Sequence, residues 1–127
     1  MKLIYEKNGI NIGGDCPYKP MWALDDILGQ SGLVISFKEK IKADIRRRNK
    51  NVSLEFTFNN DSVLKVIDDS HFLIYNIEFE DDLDYRLIVP QQAFWDLLDE
   101  YSKIINTNWK KITIDFDGKK FDLSVEY

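Results

Sequence analysis

The sequence predicts an α+β fold: an antiparallel β-sheet meander, one long helix in the C-terminal half and a closing C-terminal β-hairpin. Three observations carry this. Several short runs alternate apolar and polar residues with period two, the pattern of half-buried strands. PQQAFWDLLDEYSKIIN places Phe94, Leu97, Leu98, Tyr101 and Ile105 at i, i+3, i+4, i+7 and i+11, one stripe of an amphipathic helix. KKITIDFDGKKFDLSVEY sets Asp117-Gly118 between two alternating runs, a hairpin signal. Runs of strands followed by a helix indicate α+β architecture rather than alternating βα units.

In chain order, KLIYEK reads as a short strand ended by the turn signal Asn8-Gly9. GGDCPYKP gathers Gly13, Gly14, Asp15, Pro17 and Pro20 and reads as a loop. MWALDDIL predicts a short helix over about 20–28, with Pro20 in its first turn and Gly29 at its end. Met21, Leu24 and Leu28 would share its apolar face.

Residues 33–46 fit two templates. The odd positions Leu33, Ile35, Phe37, Glu39, Ile41, Ala43 and Ile45 are six of seven apolar; the even positions hold one apolar residue, Val34. Against that, Phe37, Ile41 and Ile45 stand at i+4 spacing, and Lys, Glu and Ala favour helix. The count of matches favours a strand. RNKN then turns the chain into VSLEFTF, with Val52, Leu54, Phe56 and Phe58 inward, and NND turns it into SVLKVI. HFLIYNIEF points Leu73, Tyr75, Ile77 and Phe79 inward, and Phe72 and Ile74 make its first half apolar on both sides. An acidic turn separates it from YRLIV. Pro90 opens the long helix, over about 90–106, whose Gln92, Asp96, Asp99 and Lys103 face water.

A chain of 127 residues suits a single compact domain, 1–127, and its 44% apolar and 13% aromatic content supports a real core. The net charge of −5 argues against whole-surface attraction to nucleic acid or anionic membrane. Cys16 is the only cysteine, which rules out an internal disulfide and suits a reducing compartment. MKLIYEKNG lacks the apolar core of a signal peptide, and no apolar run approaches the roughly 20 residues of a membrane span. A cytoplasmic location is expected.

Catalytic motifs are missing, so no catalytic residue, metal or cofactor is assigned. His71, the only histidine, has no companions at zinc-ligand spacing. A Cys16–His71 dyad lacks the helix start or cationic neighbours that favour a thiolate. GGD at 13–15 matches no phosphate-binding glycine loop, and GQSG at 29–32 has the wrong spacing for a nucleophile elbow. The 22 acidic residues offer many carboxylate pairs, none marked by its spacing.

Charge is unevenly spread. Residues 38–50, KEKIKADIRRRNK, hold seven Lys or Arg and two acids, a local +5 that leaves −10 for the rest. On the strand template Lys38, Lys40, Lys42 and Arg46 line one face, which either protects a sheet edge or follows a phosphate backbone. IEFEDDLDY places Glu78, Glu80, Asp81, Asp82 and Asp84 within seven positions. It lacks the glycine of an EF-hand loop. On the strand reading these carboxylates sit at a hairpin tip, either a solvated turn or a docking surface for a basic partner. Asp68 and Asp69 precede the same hairpin and would extend the patch.

As an overall profile, a small acidic domain without a catalytic motif and with charge concentrated in loops resembles the immunity proteins of bacterial toxin–immunity systems, of the contact-dependent or polymorphic-toxin kind. The resemblance implies a protein that binds a cognate toxin domain, such as a nuclease with a basic cleft, its acidic residues standing in for substrate phosphate. The contacts then expected are Glu78, Glu80, Asp81, Asp82 and Asp84, with Asp68 and Asp69. The alternatives are a nucleic-acid-binding module working through Lys38, Lys40, Lys42, Arg46, Arg47 and Arg48, and a small enzyme using Cys16, His71 or a carboxylate pair.

Overall fold

A computed structural model describes residues 1–8, 11–15, 19–59 and 61–127. Among these residues the elements run β1 (Lys2–Asn8), β2 (Asn11–Asp15), α1 (Trp22–Leu28), α2 (Ser31–Ser36), α3 (Lys38–Arg47), β3 (Leu54–Phe58), β4 (Ser62–Val66), β5 (His71–Asn76), β6 (Leu87–Pro90), α4 (Gln91–Ile104), β7 (Lys111–Phe116) and β8 (Phe121–Glu126). Single turns of 3₁₀ helix lie at Lys19–Met21, Ile77–Phe79 and Leu83–Tyr85. The α+β class is as the sequence predicts, but the strands form two antiparallel sheets rather than one meander. Their orders are β2-β1-β7-β8 and β3-β4-β5-β6.

The split follows from the partner that β1 takes. Leu3 and Tyr5, both buried, stand opposite Ile114 and Ile112 of β7, so the closing hairpin builds on the N-terminal strand. The helix α4 carries the chain from β6 of one sheet to β7 of the other and packs against β6 and β8. A single buried cluster joins Leu3, Ile112 and Ile114 of the first sheet, Leu64, Phe72 and Ile74 of the second, and Leu24, Ile27, Phe94 and Leu98 of α1 and α4. The hairpin turn is shaped by Asp117, whose Oδ1 accepts from the Lys119 and Lys120 N–H groups at 2.8 and 2.9 Å, and by Gly118 at φ +96°.

Both expected helices form at the expected places. Met21, Leu24 and Leu28 are buried around α1, and Phe94, Leu97, Leu98 and Tyr101 make the buried stripe of α4. Other expectations are corrected. Residues 33–46 are helical, not a strand. The apolar odd positions do not share a buried face: Leu33 is 52% exposed, while Val34, the apolar even position, is fully buried. Val34, Ile41 and Ile45 are the buried residues, at helical spacing, and the Lys40–Asp44 pair at i, i+4 adds to the helix. Gly13, Gly14 and Asp15, read as loop, belong to β2 and pair with Glu6, Tyr5 and Ile4. An available β1 edge outweighs the poor strand propensity of glycine. Cys16, Pro17 and Pro20's predicted loop neighbour Tyr18, with Gly9 of the predicted Asn8-Gly9 turn, lie outside the described residues. In β5 the core face is Phe72 and Ile74, and the strand ends at Asn76, so Ile77 and Phe79 leave the predicted inward set.

Among the described residues no helix is long and apolar enough to cross a membrane. Ile74→Ala, at a fully buried position on β5, is expected to cost about 2–5 kcal/mol in urea unfolding. Gly118→Ala forces a side chain into positive φ and is expected to cost about 1–2 kcal/mol in the same measurement.

Candidate functional site

The acidic stretch lies in the loop that joins the antiparallel pair β5 and β6, as expected of a hairpin, but this loop spans residues 77–86 and is itself structured. The Asn76 side chain accepts from the Glu78 N–H at 2.9 Å and so turns the chain out of β5. Asp82 repeats the device, its Oδ1 accepting from the Asp84 N–H at 3.0 Å. The Ile77 N–H donates to the Asp61 carbonyl at 2.8 Å, and the Arg86 guanidinium donates to the Glu80 carbonyl. Beneath the loop Phe79 and Tyr85 stack at 4.0 Å and 9°, and Trp22 meets both edgewise at 6.1 and 5.1 Å. Lys19 Nζ lies 5.3 Å over the Tyr85 ring.

This scaffold holds Glu78, Glu80, Asp81, Asp82 and Asp84 exposed, and among the described residues none of the five makes an ion pair. Leu83 stands 74% exposed among them, with Ile77 at 44%. Residues 77–83 line an open concavity of about 640 Å³. The surface thus offers carboxylates together with apolar contact area, the composition of an interface centre with a charged rim.

The acidic surface continues onto α1, which sequence reasoning missed. Trp22, Asp25, Asp26, Asn76 and Phe79 line a neighbouring cleft of about 330 Å³. Asn76 Nδ2 and Ser62 Oγ donate to Asp26 Oδ2 at 3.2 and 3.5 Å. Partial burial raises the Asp26 acid above the ordinary carboxylate range; repulsion from Asp25 and Asp61 adds to this, against the opposing hydrogen bonds from Asn76 and Ser62. Asp25 accepts a hydrogen bond from the Tyr5 hydroxyl. The signal was present in MWALDDIL: Trp22, Asp25 and Asp26 fall at i, i+3 and i+4, one helix face opposite the buried one.

Asp68 and Asp69 do not extend this patch. They sit in the turn between β4 and β5, at the other end of a six-residue strand, about 20 Å away by strand rise. Asp69 pairs with Arg48 at 3.0 Å and Lys50 at 3.6 Å. Asp68 accepts from the Ser70 N–H at 2.8 Å, and this bond first, with His71 and the Ser70 hydroxyl, lowers its acid to about 2. His71 opens β5, and its Nδ1 faces both Asp68, at 3.1 Å, and Ser70 Oγ, at 3.0 Å. A Ser-His-Asp relay needs the two partners on different ring nitrogens, so this constellation is a turn and not a relay. Cys16 lies outside the described residues, and among those described no three His, Cys, Asp or Glu converge as metal ligands.

The basic stretch is drawn into the fold. On a helix, Lys40 points away from Lys38, Lys42 and Arg46, so the four do not line one face. Lys38 pairs with Asp99 at 3.3 Å and lies 5.9 Å over the Trp95 ring. Lys40 and Arg47 both pair with Asp44, and Arg48 and Lys50 with Asp69. Lys42 and Arg46 are left outside any ion pair among the described residues.

Asp68 allows a pH test. Its folded acid lies below the ordinary 3.8, so the stability it contributes is present above pH 4 and lost as pH falls through about 2. Asp68→Asn is expected to be less stable than the native chain at pH 7, and the two urea midpoints should converge between pH 4 and 2. Tyr85→Ala removes the stacking partner of Phe79; amide exchange in residues 77–86 should accelerate while exchange in β4 and β5 stays unchanged. No family model, curated protein or solved structure matches this chain, and the surface is read from its own geometry.

Proposed function

We propose that the protein is a cytoplasmic inhibitor of the immunity type, which neutralises a cognate toxin domain by docking its acidic loop onto a basic surface of that domain. The observation that carries this reading is an asymmetry of charge compensation. The basic residues 38–50 are largely paired within the chain, whereas the five carboxylates of the loop are exposed and outside every ion pair among the described residues. Exposed like charges on one loop oppose folding by a few tenths of a kcal/mol or more per close pair. Two capping side chains and an aromatic trio nevertheless hold that loop in one shape. A preformed charged surface binds without the cost of ordering a loop, and complementary charge accelerates encounter. A nuclease cleft, basic because it holds phosphate, is the toxin surface that such a loop fits best.

The test has two steps. Affinity capture from the native cell should retain a toxin domain with a basic active-site surface. The triple variant Glu78→Lys, Asp81→Lys, Asp82→Lys should then associate with that domain at least about tenfold more slowly at low ionic strength, with a smaller difference at high ionic strength. An association rate that ignores the reversal at every ionic strength removes the acidic loop from the interface.

A further inference from the structure

The cleft between α1 and the acidic loop supports a narrower conclusion, which rests on reading this surface as a docking face for a basic protein. Its walls are of two kinds. Trp22 and Phe79 supply aromatic surface, with Trp22 42% exposed, and Asp25 and Asp26 supply carboxylates from adjacent positions of α1. The hydrogen bonds to these carboxylates are one-sided. Asn76 and Ser62 both reach Oδ2 of Asp26, and Tyr5 reaches Oδ1 of Asp25. Among the described residues, Oδ1 of Asp26 and Oδ2 of Asp25 receive no donor, and no cation pairs with Asp25, Asp26 or Asp61. Two cations of the neighbouring elements are engaged elsewhere: Lys19 lies over Tyr85, and Arg86 holds the Glu80 carbonyl and lies 5.9 Å from the Tyr75 ring centre. The cleft therefore holds uncompensated negative charge beside an aromatic wall.

An aromatic face next to carboxylate oxygens is the chemistry that accepts an organic cation. A guanidinium suits it better than an ammonium. It is planar and weakly hydrated, stacks on an indole, and donates its N–H fork to a carboxylate at the same time. We propose that this cleft takes the guanidinium of an arginine side chain from a basic protein partner, stacked on Trp22 and hydrogen-bonded by Asp26. Asp26 is the anchor because it lines the cleft beside Trp22 and because Asn76 and Ser62 fix its carboxylate through Oδ2, leaving Oδ1 for the incoming cation.

The test uses the native chain and a capped peptide, acetyl-Gly-Arg-Gly-amide, followed by NMR at the indole N–H of Trp22. Trp95 and Trp109, each 1% exposed, serve as internal references. A saturable shift at Trp22 is expected with the arginine peptide, at least about fivefold weaker binding with lysine in its place, and no saturation with the neutral isostere citrulline. Asp26→Asn keeps an acceptor for Asn76 and should weaken arginine binding about tenfold, the effect of losing one charge-assisted pair. Asp122→Asn removes the same charge from an exposed position on β8, outside both the cleft and the acidic loop, and should change binding less than twofold. Trp22→Phe, as a second variant, should retain the charge dependence with a weaker affinity, and backbone amide spectra of each variant report that it is folded. Equal losses in Asp26→Asn and Asp122→Asn, or citrulline binding as tightly as arginine, overturn the proposal, as does a folded native chain that shows no saturable shift. Lysine binding as tightly as arginine overturns the guanidinium assignment. Saturable arginine binding with no toxin captured would keep the cleft and remove the docking role. A captured toxin whose affinity ignores Asp26→Asn would do the reverse.

Discussion

The acidic end of the molecule hangs on the packing of α1 across β4 and β5. Leu24 and Ile27 of α1 and Leu64 and Ile74 of the strands share one buried cluster, and that burial fixes the helix against the sheet. Fixing α1 places Trp22 over Phe79 and Tyr85 and brings Asp26 to Asn76. Asn76 then works in two directions: its carbonyl oxygen ends β5 by capping the next turn, and its amide holds Asp26. One hydrophobic contact and one amide side chain thus join a helix, a sheet end and a ten-residue loop into a single surface.

Charge is arranged around that frame by compensation. The basic run of α3 and the residues after it answers acids on α3 itself, on α4 and in the β4–β5 turn, so five of its seven cations are held in ion pairs within the chain. The carboxylates at 78–84, and Asp25 and Asp26 on α1, form no ion pair among the described residues. Screening at physiological salt makes exposed repulsion cheap, with a Debye length of about 8 Å, and the aromatic trio below the loop holds its shape against what repulsion remains.

Much of this was legible along the chain, and the failures have physical causes. The long helix and closing hairpin were readable because their patterns are long, or carry a turn residue that only one geometry suits. Residues 33–46 misled because a lysine-rich amphipathic segment alternates by chance; the burial of Val34, an even-numbered residue, shows which period the fold uses. Asp68 and Asp69 misled because nearness in sequence was taken for nearness in space, whereas an intervening strand puts them at the far end of the sheet. Asp61, distant in sequence from the loop, reaches it through its carbonyl and the Ile77 N–H. The Trp22, Asp25 and Asp26 face was legible by helical spacing, but its meeting with Phe79 and Asn76 depends on tertiary packing that no local pattern encodes.

The pairing of β1 with β7 sets the order in which the chain can assemble. The sheet β3-β4-β5-β6 is a meander whose strands meet their sequence neighbours, so its loops close over short distances. The central pairing of the other sheet, Leu3 with Ile114 and Tyr5 with Ile112, spans most of the chain. During synthesis β1 has, of its two sheet partners, only β2 beside it until residues 111–116 leave the ribosome. The meander and α1, and with them the acidic face, are complete in sequence before the first sheet can close, and that late, long-range closure carries the largest loop-closure cost of the strand pairings described.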